Sequence, residues 1–151
     1  MSADVTDDEL APLVERVTEA SRALISGDSR RYAALIRHAD DYTLMSPYGG
    51  RSCGAFDDSE AGLDGLASFF RGGDASVDVV QAYTSGGLAV LVVFERQRGT
   101  VGDLPEQDWS LRVTWVFRRL GASDWELVHR HADALVHPIE NQRLGQLARG
   151  E

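Results

Sequence analysis

The densest chemistry in this sequence lies between Trp125 and Pro138, where His129, Arg130, His131 and Asp133 follow an apolar start. On a strand, positions i, i+2 and i+4 share a face, so His129, His131 and Asp133 could converge on one metal ion with His137 nearby. The same residues also suit a hydrogen-bonded polar strip at a dimer surface or sheet end. That second reading is the expectation, because a metal would need a further firm ligand and short motifs mislead. Neither a metal nor a cofactor is expected. Arginines 112, 118, 119 and 130 gather on the same stretch. A buried guanidinium is costly unless a carboxylate or an anionic ligand compensates it. Arg130 and Arg112 are therefore candidates for orienting an acidic or carbonyl group, and an ion pair to a second subunit is the competing role for Arg112. Trp115, with Trp109, Phe117, Tyr32, Tyr48 and Phe70, could line an apolar pocket or fill an ordinary core. The glycine-rich run after Ser46, which contains Tyr48, could form the rim of such a pocket. His38, expected near a helix end, and Cys53, with no base close in sequence, carry no catalytic assignment.

Two long strands must position these groups. Trp109, Leu111, Val113, Trp115 and Phe117 alternate with Ser110, Arg112, Thr114 and Arg118, the period of a half-buried strand. Gly121, Ser123 and Asp124 punctuate a turn before Trp125, Leu127 and Val128 restart the apolar run. Upstream, Thr6 to Glu9 forms a capping box, and Leu10, Leu13, Val14, Val17, Ser21, Leu24 and Ile25 make one helical stripe that stops at Gly27. Asp28 or Ser29 can cap a second helix ending near His38, with Asp40 and Asp41 closing it. Tyr42 to Ser46 reads as a short strand, and Leu63 to Phe70 as a third helix ending at Gly72 and Gly73. Val77 to Thr84 and Leu88 to Arg98, separated by Ser85, Gly86 and Gly87, predict an antiparallel hairpin. Leu88 to Phe94 is apolar on both faces, so helices should cover one side and a second subunit the other. Ile139, Leu144 and Leu147 suggest a short terminal helix. The order predicts an α+β fold, with three N-terminal helices packed on one face of a curved, mostly antiparallel sheet.

At 151 residues the chain has the length of a single domain, expected to span 1–151, with one core. A net charge of -9 disfavours nucleic acid and anionic membrane surfaces as partners. All 15 basic residues are arginine, a bias that suits a GC-rich genome and carries no functional weight. One cysteine excludes an intramolecular disulfide and a Cys-rich metal site, and the acidic N-terminus lacks an apolar signal core. These features imply a soluble, cytoplasmic protein.

The order of elements, the segment RHADDYTL at 37–44, and the pair RVTWVFRR and DWELVHRHAD resemble the nuclear transport factor 2-like superfamily, in particular its SnoaL-like and ketosteroid-isomerase-like bacterial members. The His-x-His ending is similar to the association domain of calcium/calmodulin-dependent kinase II. The resemblance implies a cone whose curved sheet and helices enclose a pocket, and a homodimer made through the sheet. It does not imply one reaction, since the superfamily hosts isomerases, dehydratases, cyclases and assembly modules. Matching the steroid-isomerase pattern through Ala39, Asp40 and Asp41 puts the general base at Ser46, the acid donor at Trp115 and the tyrosine near Ala20. None of these residues can do that work, so steroid isomerisation is not expected. The resulting candidate ligand contacts are Arg130, His129, His131, Asp133, Arg112, Trp115, Tyr48 and Ser46. The expected function is a homodimeric pocket protein for an apolar small molecule with a carboxylate or carbonyl end. An assembly module with a vestigial pocket is the alternative.

Overall fold

A computed structural model of the chain describes residues 7–122 and 124–151. Thr6 of the expected capping box and Ser123 of the expected turn lie outside them. Helix α1, Asp7–Ser26, ends at Gly27, whose φ of 91° is the left-handed value a helix stop favours. Its buried stripe includes Leu13, Val17, Ala20 and Ile25. Helix α2, Ser29–Leu35, starts at Asp28, whose carboxylate accepts from the Arg31 amide at 3.2 Å. It ends earlier than the sequence suggested: Ile36 is already extended, and strand β1 runs His38–Met45. Asp40 and Asp41 are thus strand residues, not helix caps. Asp41 instead meets Arg118 at 2.9 Å across the sheet, and this bond holds its carboxyl below the usual carboxylate range.

After the short strand β2, Cys53–Gly54, Ser59 caps helix α3, Glu60–Phe69. Strand β3, Phe70–Ser85, begins directly, so Gly72 and Gly73 lie inside a strand and do not end the helix. Gly73 is needed there for close approach. A Cβ on it would sit 2.4 Å from the Arg98 carbonyl oxygen and 2.8 Å from the Ile25 side chain. Strands β4, Leu88–Val101, β5, Gln107–Asp108, β6, Leu111–Arg119, and β7, Trp125–Asp133, follow, with a terminal helix α4, Asn141–Ala148. The sheet order is β2-β1-β7-β6-β4-β3, with β5 beside β4. Every pairing is antiparallel except β1 with β7, which is parallel. The fold is α+β, as expected, with a mixed, mostly antiparallel sheet.

One face of the sheet carries Ala89, Leu91, Val93, Val113, Trp115, Phe117, Leu127 and Ala132, which pack with α1 and α2 into the main core. Burying such side chains is the dominant stabilising term, about 1.5–3 kcal/mol for each large one. A bulge sets which residues of β7 reach this face. Phe117 pairs Leu127 but Val116 pairs His129, so Val128 is an extra residue. Beyond it the alternation shifts, and Arg130, opposite Trp115, faces the helices. His129, His131 and Asp133 face the other way.

An aromatic knot ties α2 to β1. The His38 ring stacks on Phe56 at 4.0 Å, meets Tyr42 edge-on at 4.7 Å, and its Nε2 lies 3.3 Å from the Tyr32 hydroxyl. Burial pushes the His38 imidazole down from 6.5 to about 4 and the Tyr42 phenol up to about 12.

Two outcomes are expected. Gly73→Ala should overpack the α1–β3–β4 contact and lower stability by about 1–3 kcal/mol in urea denaturation. A loss below a few tenths would contradict the close approach. His38 is neutral in the fold over a range where the unfolded chain protonates it, so stability should fall as pH drops through 6.5 and level off near 4. The loss should be about 3 kcal/mol, and His38→Gln should flatten that slope in melts taken across the range.

Candidate functional site

Between α1, the inner sheet face and the loop after β1 lies a cavity of about 180 Å³. A cavity of about 150 Å³ can hold one benzene ring, so this one takes a molecule of one ring or little more. Its apolar wall comes from Leu24 and Ile25 of α1, Phe70, Val101, Trp109, Leu111 and Trp115. Pro47 and Tyr48 reach it from the loop after β1, with Tyr48 73% exposed at the mouth.

The polar side is a buried ion pair. Arg130 Nη2 donates to Glu95 Oε2 at 2.9 Å, with the side chains only 12% and 3% exposed. The guanidinium lies over the Trp115 ring, 4.9 Å from its centroid, a cation–π contact. Burial is the largest influence on Arg130 and opposes its charge, but Glu95 and the neighbouring Tyr32 and Tyr42 together outweigh it and raise the guanidinium above its ordinary value. Glu95 reaches this position because it continues the inward series Ala89, Leu91, Val93 on β4.

Several buried polar atoms at the cavity wall have no hydrogen-bond partner in the protein: Ser21 Oγ, Glu95 Oε1, Trp109 Nε1, Trp115 Nε1 and Arg130 Nε. Leaving such a group unmatched costs about 1–3 kcal/mol. Here one acceptor, three N–H donors and one hydroxyl line the same small volume. Tyr32 also lines it, and burial pushes its phenol well above the usual range.

The candidates from the sequence divide by face. Arg130, Trp115 and Tyr48 line the cavity. Trp115 is also core, 1% exposed and stacked on Phe117 at 5.9 Å, while Phe117 itself does not reach the cavity. Ser46 is not among the lining residues, and its Oγ accepts from the Tyr48 amide at 3.3 Å. His129, His131, Asp133 and Arg112 sit on the outer face. Arg112 grips Asp133 with two hydrogen bonds of 2.8 Å within the chain, which holds the Asp133 carboxyl below its usual range. The partner considered for Arg112 on a second subunit is thus supplied by the neighbouring strand, where register puts the two residues opposite each other. His129 Nδ1 lies 2.8 Å from Thr43 Oγ1, and the His129 and His131 rings are 6.4 Å apart. Glu95 escaped the sequence reading. The available signal was its parity: a carboxylate at an inward position of an apolar strand.

No protein-family model and no curated protein matches the sequence. Solved structures do match the fold. A candidate dehydratase of the nuclear transport factor 2-like family from Streptomyces avermitilis superposes with TM-score 0.65 at 16% identity, covering 88% of this chain and 100% of that one. An uncharacterised cystatin-like protein from Caulobacter vibrioides gives 0.60 at 18%, covering 94% and 96%. The calcium/calmodulin-dependent kinase II hub of S. rosetta gives 0.62 at 18%, covering 82% and 94%. Helices on one face of a curved sheet, this strand order and these matches together identify the fold as that of the nuclear transport factor 2-like, cystatin-like proteins.

Proposed function

We propose that this chain is a one-domain, cytoplasmic pocket protein that binds a small, largely apolar molecule in the cavity and orients its polar end at Arg130 and Glu95. The observation that carries the reading is the convergence of unpartnered buried polar atoms on one apolar cavity of one-ring size. A fold interior without a ligand role would gain stability by replacing them with apolar groups. Among the neighbours in fold is a candidate dehydratase, which is compatible with a reaction in this cavity. The steroid-isomerase residues are not the ones found here: the positions matched to that pattern hold Ser46, Ala20 and Trp115.

The active form in this proposal is a homodimer joined through the outer sheet face. Val90, Val92, Phe94 and Val116 line that face half-buried, and Tyr83, opposite Val90, is 58% exposed. The same face, with a hub domain among the neighbours, favours the second reading, an assembly module in which the cavity is incidental. No helix among the described residues is long and apolar enough to cross a membrane.

Differential scanning fluorimetry with a panel of one-ring compounds tests the first reading. A ligand at 100 times its Kd stabilises by about 2.7 kcal/mol, a melting-temperature rise of roughly 5–10 °C in a chain of this size. Ser21→Leu should keep or raise the unliganded melting temperature, because it fills the cavity and removes an unpartnered hydroxyl, while abolishing the ligand-dependent rise. A ligand response unchanged in that variant would sink the cavity as the binding site. Native mass spectrometry at micromolar concentration should show a dimer that Val92→Asp converts to monomer. A wild-type monomer would rule out the sheet-face interface.

A further inference from the structure

We infer that the cavity selects an uncharged ligand bearing a hydroxyl group, such as a one-ring alcohol, phenol or enol, and that Glu95 is the residue that rejects carboxylates. This rests on the cavity being a binding site, as proposed above, and goes on to the chemistry of what it accepts.

The argument is one of charge and valence. Arg130 is the one guanidinium lining the cavity, and its charge is already matched by Glu95 at 2.9 Å. The pair is neutral as a unit. No other Arg or His among the described residues lines the cavity. A carboxylate entering it would therefore bring an uncompensated negative charge into a buried site and place it beside Glu95, where like charges repel. A neutral ligand meets no such penalty.

The unmatched atoms then specify the polar end. Glu95 Oε1, the oxygen of the Arg130-paired carboxylate left without a partner, is an acceptor and needs a donor; a bare carbonyl or ether oxygen cannot supply one. Trp109 Nε1 and Trp115 Nε1 are donors only and need an acceptor. A hydroxyl oxygen serves both sides at once, giving its proton to Glu95 and accepting from an indole N–H. The indole donors and the apolar wall suit the rest of a flat ring.

Phenol, toluene and benzoate have nearly the same ring and differ in this one respect, so their binding to the wild-type protein at pH 7, followed by melting shift and by titration calorimetry, is the test. Phenol is expected to bind about tenfold or more tightly than toluene, the fold-change of one hydrogen bond to a charged group. Benzoate is expected to bind more weakly than either. Glu95→Gln keeps the side-chain shape while freeing the Arg130 charge, and should invert the order, with benzoate gaining at least about tenfold over its wild-type affinity. Benzoate equal to or tighter than phenol in the wild type would overturn the inference while leaving the cavity as a binding site. Toluene equal to phenol would remove Glu95 Oε1 as a recognition group. Failure of all three probes would overturn both the inference and the binding role. The wild-type series stands even if Glu95→Gln does not fold.

Discussion

A guanidinium buried under a helical layer has to be compensated, and the Arg130–Glu95 pair is the constraint around which this interior is arranged. Removing either partner would strand a buried charge, at about 3–5 kcal/mol. The two residues sit on strands β7 and β4, separated by β6, so the pair spans the middle of the sheet. On β6, Trp115 is in register with Arg130 and supplies the ring over which the guanidinium rests, while Leu111, four residues earlier, is in register with Glu95. The polar centre of the cavity is thus a product of three adjacent strands, and each must keep its alternation for the centre to exist.

The bulge at Val128 makes that alternation come out right. Without the extra residue, Trp125 and Leu127 inward would put His129, His131 and Asp133 inward as well, and Arg130 outward. Three polar groups would then face α1 and α2 in place of one that is paired. With it, the strip of polar residues moves to the outer face, where Asp133 meets Arg112 and His129 meets Thr43. One residue of insertion separates an interior with a single compensated charge from one that could not be buried.

The outer face is apolar in its middle and charged at its edges. Half-buried valines on β4 and β6 occupy the centre, while Arg112 with Asp133, and Arg118 with Asp41 and Glu126, bracket it. A centre of that kind with a satisfied polar rim is the usual composition of an interface between copies. The bracketing pairs are already closed within the chain, so they would set orientation more than affinity.

Periodicity and turn residues by themselves determined the element types and their order: the α1 stripe ending at Gly27, the hairpin around Gly86, and the alternation of β6. They also determined that the sheet would have an apolar outer face, because Leu88 to Phe94 has no polar side to give to solvent. These are properties of neighbouring residues, and a local pattern contains them. The end of α2 and the start of β3 depart from the local pattern for the opposite reason: Ile36 is extended because β1 pairs with β7, and Gly73, paired with Gly99 in the sheet, is glycine because it must pass Ile25 and the Arg98 carbonyl. Arg130, Trp115 and Tyr48 were legible as candidates by residue type, but their face was not. Only tertiary structure decided that Arg130 turns inward, that His129, His131 and Asp133 turn outward, and that Glu95 is the partner, because a bulge and a strand register are set by contacts between segments far apart in the chain.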